Sequence, residues 1–424
     1  MQAGQQAIER SADMEAIALL THGLEVLERL PEGPERFQHE LTLRCTLGLA
    51  LVKVRGYAAQ EVKTNYARAQ TLSDLFKDSP QSFDVLSGLW MFYAISGMIP
   101  TALQLAEQSL QIACEEDAVQ FIFARTLLGI TLFHHGKLTV ALDRFEEGIA
   151  RYDSSLQREM CLRYGQDGGL MCLSFSAHLL WLLGYPEQAL AVDHQAMNFA
   201  KIVSHPFSEA TAIYFSAWHH VLQRDVQLAQ ARAELAIHLS REQEFPLWLA
   251  GATFMHGWAL VQLGKKTEGI AQMELAIEGW SIIGTKIGLY YLMVVLAEAY
   301  GTVEKPEAGL SVLAKAAKVA RDNDEHFYDA ELHRIKGELL LQLPVPHKSQ
   351  AEACFQEALK IARDQQAKSL ELRAAMSLCR LWQNTDKRDL GLRELAAVYD
   401  WFTEGFDTPD LKDAKTLLDE YRTS

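Results

Sequence analysis

Cysteine is scarce in this chain of 424 residues, which has six cysteines and no CxxC pair. None of them stands beside histidine at the spacing of a metal-ligand cluster. Isolated thiols of this kind are typical of buried core positions in a reducing compartment. The sequence therefore gives no indication of a disulfide framework or a structural zinc site, and it predicts a cytoplasmic protein.

Basic charge and long apolar runs are lacking as well. The chain has 40 lysines and arginines against 55 aspartates and glutamates, for a formal charge of −15, which argues against nucleic acid as a partner. No apolar run approaches the roughly 20 residues of a transmembrane helix, and the opening MQAGQQAIERSA does not have the pattern of a signal peptide. We therefore expect neither nucleic acid nor a membrane as a partner. With 49% hydrophobic residues, the chain can still bury a large core.

Alternation with a period of two, the signature of strands, is absent too, and the chain repeats instead every 40 residues. Small residues mark this period: Ala177, Ala217, Gly257, Ala297, Gly337 and Ser377. Glycine follows the marker at Gly184 and Gly264, and proline follows it at Pro186 and Pro306. Small residues let two helices approach closely, whereas glycine and proline are typical of helix ends. The pattern predicts an all-α chain of paired helices, A and B, joined by short turns.

The segment Leu127 to Asp153, LLGITLFHHGKLTVALDRFEEGIARYD, resembles the tetratricopeptide repeat (TPR), although units of about 40 residues exceed the usual 34 or so. The resemblance implies a right-handed α-solenoid of about nine to ten antiparallel helix pairs. We expect less regular repeats over 1–155, an irregular insertion over 156–172, regular repeats over 173–400 and a capping helix over 401–424. The insertion contains RYGQDGGL, which fits either a tolerated loop or a contact loop for other domains.

A wider resemblance covers most of the chain, on segments that include AIERSADMEAIALLTHGLEVL, PLWLAGATFMHGWAL, YDAELHRIKGELLL and YDWFTEGFDTPDLKDAKTLL. These are similar to the C-terminal TPR region of bacterial signalling proteins that carry a STAND/AAA-type ATPase and a class III cyclase or kinase domain. The resemblance implies a non-catalytic sensor or protein-interaction region without a cofactor, cut from a longer parent within its first helix. The implied partners are a protein segment, the parent's upstream domains or a small-molecule effector, as in the inducer-binding solenoids of STAND regulators.

The A helices of a TPR solenoid line its concave surface, and the resemblance implies the same arrangement here. In-phase positions on this face are aromatic in the middle of the chain: His178, Trp181, Tyr214, Trp218, Phe254, Trp258 and Tyr291. The stripe continues as charged residues: Glu298, Glu331, Arg334 and Glu338. Aromatic stripes at helical spacing pack between helices or anchor ligands in a groove, and both alternatives stay open. The acidic end favours a ligand with an apolar part and a cationic group.

An enzyme is the alternative from another class, and Glu331, His333 and Glu338 are its only candidate cluster. On a helix, Tyr328 to Leu341 separates into an apolar stripe, a self-neutralising charged stripe and a solvated stripe of Asp329, His333 and Lys336. No acid is isolated in an apolar pocket, as a tuned catalytic carboxylate usually is. The pattern favours a scaffold. The GKKT at Gly264 lacks the first glycine of a phosphate-binding loop, so no nucleotide site is expected.

Overall fold

A computed structural model describes residues 3, 6, 7, 12–76, 81–203 and 205–423. These residues form 21 α-helices, and the described ranges contain no strand. The start of the expected first helix, over residues 1–11, lies largely outside the described part of the chain. Within that part, no helix combines the length and the apolar character needed to cross a bilayer.

The helices follow one another without any other regular element except a single 3₁₀ turn, Ser154–Leu156. In chain order they are α1 (Asp13–Glu28), α2 (Pro34–Arg55), α3 (Gln60–Ser73), α4 (Ser82–Ile95), α5 (Ile99–Ile112), α6 (Ala118–His134), α7 (Leu138–Ile149), α8 (Gln157–Tyr164), α9 (Gly168–Leu183), α10 (Pro186–Val203), α11 (Pro206–Leu222), α12 (Val226–Glu242), α13 (Pro246–Gln262), α14 (Lys266–Ile282), α15 (Leu289–Thr302), α16 (Pro306–Asn323), α17 (Asp329–Gln342), α18 (Lys348–Asp364), α19 (Lys368–Trp382), α20 (Arg388–Tyr399) and α21 (Pro409–Thr423). The A helices are α2, α4, α6, α9, α11, α13, α15, α17 and α19, and each is followed by its B helix. The prediction of an all-α, TPR-like solenoid of nine to ten helix pairs is confirmed.

The turns between helices lie where the sequence has proline and glycine. Proline is the first residue of α10, α11, α13 and α16, where its fixed φ suits a helix and its missing N–H is not needed. In four of the nine A–B turns a glycine takes the left-handed conformation: Gly97, Gly136, Gly184 and Gly264, with φ between +74° and +98°. Arg224 (φ 61°) and Glu304 (φ 59°) take the same conformation in two repeats without glycine at that point. The turn geometry therefore repeats even where the sequence signal does not.

The small residues of the 40-residue period lie where helices cross most closely. A Cβ on Gly257 would lie 2.9 Å from the carbonyl oxygen of Gly269 on α14. A Cβ on Gly337 would lie 2.4 Å from the ring of Phe355 on α18. Neither position has room for a side chain, because the partner helix or ring fills it.

The row of A helices winds back on itself, so that its second turn lies against its first. The carbonyl oxygen of Ile95, at the end of α4, accepts a hydrogen bond from the Lys286 N–H (2.8 Å), and that of His134 accepts one from the His326 N–H (2.7 Å). The Trp181 carbonyl accepts one from Ser369 Oγ, 188 residues further along the chain. We call this line of contacts the seam. It satisfies the carbonyl groups of Ile95 and His134, which the ends of α4 and α6 leave without intrahelical partners, and it adds a second donor to the Trp181 carbonyl, which also accepts from the Gly184 N–H (3.1 Å).

Two segments of the expected division can be described in more detail. Most residues of the expected irregular insertion, 156–172, lie in α8 and the start of α9, and α8 belongs to none of the A–B pairs. Tyr164 of α8 is buried and stacks on Phe123, with ring centroids 4.1 Å apart. At the C-terminus, the expected cap contains α21, which buries Leu411, Ala414, Leu417 and Leu418. The turn before α21 reaches back to α10, where Glu404 accepts hydrogen bonds from the Glu187 and Gln188 N–H groups.

Candidate functional site

The aromatic stripe is interior. The exposed fraction of every member is at most 5%: His178, Trp181, Tyr214, Trp218, Phe254, Trp258 and Tyr291. The hypothesis that these side chains anchor ligands in an open groove is wrong, and the alternative, packing between helices, describes them. Trp258 is the exception in one respect, since it also borders the cavity described below.

Tight winding of the superhelix is the physical reason for this burial. The ring of Trp218 on α11 lies 6.2 Å from Phe133 of the first turn and 6.1 Å from Phe327 of the second, measured between centroids. Tyr291 lies 5.2 Å from Trp218 on the same inner face. The concave faces of successive turns thus pack against each other, and the aromatic rings fill the space between them.

Histidines of the stripe and its neighbours are enclosed with the rings. His178 is fully buried, its Nε2 lies 3.0 Å from the Phe215 carbonyl oxygen, and burial lowers its pKa to about 3. Nearby, Ser216 Oγ donates to Asp193 Oδ2 at 2.9 Å, while His220 Nε2 stands 3.9 Å from the same oxygen. The serine therefore bonds to the aspartate and not to the histidine, so this buried group does not have the nucleophile–base contact of a hydrolase.

A cavity of about 400 Å³ lies inside the superhelix, next to the aromatic core. We call it the central cavity; its wall is formed by the C-terminal parts of α11, α13, α15, α17 and α19, closed by the start of α21. Four residues of the predicted stripe line it: Trp258, Glu298, Arg334 and Glu338. The structure thus brings three of the four charged residues of the stripe to an accessible volume, together with one aromatic residue, while Glu331 is buried behind them.

Arg334 is the centre of one charge network on this wall. Its Nε lies 2.6 Å from Glu331 Oε1, its Nη2 lies 2.9 Å from Glu298 Oε1, and its Nη1 lies 3.9 Å from Glu338 Oε1. Glu331 is 1% exposed, and burial by itself would raise its pKa. The guanidinium groups of Arg334 and Arg373 outweigh burial and hold the pKa of Glu331 below its usual range.

A second network closes the cavity between α11 and α21. Asp410 is buried and accepts from Arg373 Nε at 2.8 Å and from Arg224 Nη1 at 3.0 Å. Arg224 Nη1 also lies 2.8 Å from Asp413. Sequence reasoning missed these residues because they lie far apart along the chain. One signal was present: Arg224 stands seven residues after the marker Ala217, where other repeats have a turn glycine.

The candidate catalytic residues Glu331, His333 and Glu338 each have different neighbours. Glu331 is bound by both guanidinium groups, and Glu338 accepts a hydrogen bond from Ser377 Oγ at 2.6 Å. His333 is half-buried on another side of α17 and is not part of the cavity wall. Burial lowers its pKa, and the charges that oppose this effect are those of Asp329 and Glu357. The three side chains do not form one proton-transfer site.

The paired helices and the superhelical winding define a TPR-like α-solenoid. No protein-family model matches the chain. An uncharacterised protein of Rhizobium meliloti (strain 1021) is 24% identical over 381 residues, which cover 89% of this chain and 36% of that relative's length. The chain therefore spans well under half of the curated relative that it matches.

Two solved structures align with most of this chain. The structure of a Rap protein complexed with competence and sporulation factor aligns with a TM-score of 0.58 at 12% identity, over 91% of this chain and 100% of that one. A STAND protein with a tetratricopeptide repeat sensor from Pyrococcus horikoshii aligns with a TM-score of 0.44 at 15% identity, over 94% and 66% of the chains. The likeness to the Rap protein supports the fold and leaves the ligand to be argued from this chain's own residues.

Proposed function

We propose that this chain is a non-catalytic sensor or interaction region of a larger bacterial signalling protein, and that its effector binds in the central cavity. The resemblance of its segments to the TPR regions of STAND-type signalling proteins supports the first half. The greater length of the Rhizobium relative is in keeping with a multidomain parent. A solenoid whose repeats each contact their neighbours suits the role, because a ligand bound across several repeats acts on their relative positions.

The observation that carries the proposal is the central cavity itself. Its volume of about 400 Å³ lies within the range of small-ligand pockets. Trp258 supplies an aromatic surface, and Glu298, Arg334 and Glu338 supply polar groups that converge on it. The buried rings of the aromatic stripe occupy the part of the interior that the stripe was expected to open. This geometry favours a small effector or a short segment over a large partner in an open groove.

The shape of the cavity wall also supports a sensing role. Five A helices and α21 contribute to it. The relative positions of these helices change with the winding of the superhelix, so a ligand that contacts several of them has a higher affinity for one wound form than for another. A ligand shifts a conformational equilibrium only through such a difference in affinity. Arg224, which bridges to Asp410 and Asp413, would transmit a change in the wall to α21.

Site-specific photo-crosslinking in the parent protein tests this proposal. A benzoylphenylalanine replaces Gln342, an exposed residue of the cavity wall, and a matched variant carries it at Leu275, exposed on α14. Irradiation in the cells that express the parent should give a defined mass adduct at position 342 and none at 275. Its mass distinguishes a small molecule from a protein segment. Absence of an adduct at 342, or equal adducts at both positions, would contradict the proposal.

A further inference from the structure

Charge is unevenly distributed around the wall of the central cavity. Glu298 on α15 and Glu338 on α17 are partly exposed there, at 44% and 34%, and both depend on Arg334 for a counter-charge. Arg334 already donates to both carboxylate oxygens of Glu331, at 2.6 and 2.8 Å. Three carboxylates thus surround one guanidinium group, with Arg373 as a more distant second partner for Glu331 (3.5 Å). This side of the cavity has an excess of negative charge.

The two exposed carboxylates also keep hydrogen-bond acceptors free. An ionised carboxylate offers about four lone-pair positions. Glu298 accepts one hydrogen bond, from Arg334 Nη2, and Glu338 accepts one, from Ser377 Oγ, among the contacts of the described residues. A protonated amine carries three donors and a positive charge, and it therefore matches both the free acceptors and the missing charge.

A cation lies on the same wall, close to these carboxylates. Arg380 on α19 is exposed, borders the cavity, and its guanidinium makes no ion pair or hydrogen bond with any residue of the described ranges. It follows Ser377, the hydrogen-bond donor to Glu338, by three residues and thus by about one helical turn. The other arginines of the wall differ from it, because Arg224, Arg334 and Arg373 are each bound to carboxylates.

Apolar side chains lie among these charges. Trp258, Val295, Leu339 and Met376 also contribute to the wall of the central cavity. A purely anionic ligand would meet the negative side of the cavity, and a purely cationic one would leave Arg380 without a partner. A ligand with both charges and an apolar portion satisfies all three parts of the wall.

From this arrangement we infer that the central cavity binds a zwitterion of the amino-acid or short-peptide type. Its ammonium group binds Glu298 and Glu338, its apolar portion packs on Trp258 and Leu339, and its carboxylate binds Arg380. The inference rests on the proposed function only in taking the central cavity as the effector site. Free amino acids and peptides with free ends share this chemistry, and the experiment has an arm for each.

Isothermal calorimetry with defined probes tests the inference on the full chain. The probes are the single proteinogenic amino acids and pools of linear tripeptides. Each class is used in four forms: free at both ends, N-acetylated, C-amidated and blocked at both ends. We expect one free-ended class to bind, and acetylation of the amine to abolish its binding. Amidation of the carboxylate should weaken binding about tenfold, as loss of one charged hydrogen-bonding partner does. The class that binds identifies the source as a free amino acid or a peptide.

Two substitutions assign the ends of the ligand. Glu298→Gln should weaken the free-ended probe about tenfold or more, since it removes a charged acceptor. Arg380→Gln should reduce affinity for the free-ended probe to that for the C-amidated form, without changing affinity for the amidated form itself. Glu278→Gln and Arg321→Gln, exposed on the B helices α14 and α16, serve as matched controls and should leave binding unchanged.

Several results would overturn the inference. Blocked probes that bind as tightly as free-ended ones would contradict the charge argument. An equal loss of affinity in Arg380→Gln for the free-ended and the C-amidated probe would contradict it as well. Absence of heat from every probe at millimolar concentration would reject the zwitterion class. Crosslinking at position 342 does not depend on ligand chemistry. An adduct there with silent calorimetry would therefore keep the central cavity as the effector site and reject only this ligand class.

Discussion

At the scale of single residues, Trp218 is the clearest test of where the aromatic stripe lies. Its side chain is 5% exposed and lies between rings of both superhelical turns. We expect Trp218→Ala to lower the free energy of unfolding by about 3–5 kcal/mol, because it leaves a large cavity in packed surroundings. Urea denaturation measures the change. Leu275→Ala, at a residue 63% exposed, is the control and should cost less than about 0.5 kcal/mol. Similar losses in both variants would contradict the core assignment.

Asp410 and Asp413 offer a matched comparison, since both bind Arg224 from α21. The side chain of Asp410 is only 10% exposed and also binds Arg373, so Asp410→Asn leaves the buried Arg373 guanidinium with Glu331, 3.5 Å away, as its remaining carboxylate partner. Removing one partner from a buried pair costs about 3–5 kcal/mol. Asp413 is 45% exposed, and Asp413→Asn should cost less than about 1 kcal/mol, as exposed ion pairs do. Thermal unfolding of the two variants decides; equal stabilities would show that α21 is not held by Asp410.

At the scale of elements, the crossing of α13 and α14 depends on Gly257. Gly257→Leu must push against the Gly269 carbonyl and Met273, so we expect overpacking to cost about 1–3 kcal/mol. Lys336→Ala, on the exposed side of α17, should change stability by less than about 0.5 kcal/mol. The difference in denaturation midpoint between the two variants checks the expectation. If Gly257→Leu were as stable as the parent chain, α13 and α14 would not cross at this glycine.

The helix α17 also shows what an element-level pattern predicts and what it misses. Its apolar stripe is buried as the spacing indicated, at Tyr328, Leu332, Ile335 and Leu339. Lys336 is exposed, in agreement with the solvated stripe. Asp329 differs from that prediction: it is partly buried and bonds to His326 Nδ1 at 2.9 Å. Its partner lies in the preceding turn, outside the helix whose periodicity placed Asp329 in solvent.

At the scale of the whole molecule, the seam makes stability depend on pH. His326 lies between Asp329 and Asp324, and hydrogen bonding with these two carboxylates raises the pKa of His326 to about 9. His135 of the first turn lies 3.1 Å from the same Asp324. Because this pKa exceeds that of an unfolded histidine, near 6.5, the protonated form stabilises the fold. The contribution is complete below about pH 6.5 and is lost as the pH rises through about 9.

We therefore expect the free energy of unfolding to decrease between these pH values, and the decrease to be smaller in His326→Gln. Urea denaturation at a series of pH values from 6 to 9.5 gives the slope. His238→Gln, on the exposed face of α12, is the control and should keep the slope of the parent chain. A slope in His326→Gln equal to that of the parent would show that another group is responsible.

The sequence by itself determined the elements of this protein: helix pairs, their 40-residue period, the close crossings at Gly257 and Gly337, and the face that holds Glu298, Arg334 and Glu338. These features depend on contacts within one repeat or between adjacent ones, which leave a periodic trace in the chain. Only the tertiary structure decided how tightly the repeats wind. That winding is set by packing between residues as distant as Trp181 and Ser369, 188 positions apart. It turned the aromatic stripe from a groove into a core, and it brought Arg224, Arg373 and Asp410 together to close a cavity that no local pattern marked.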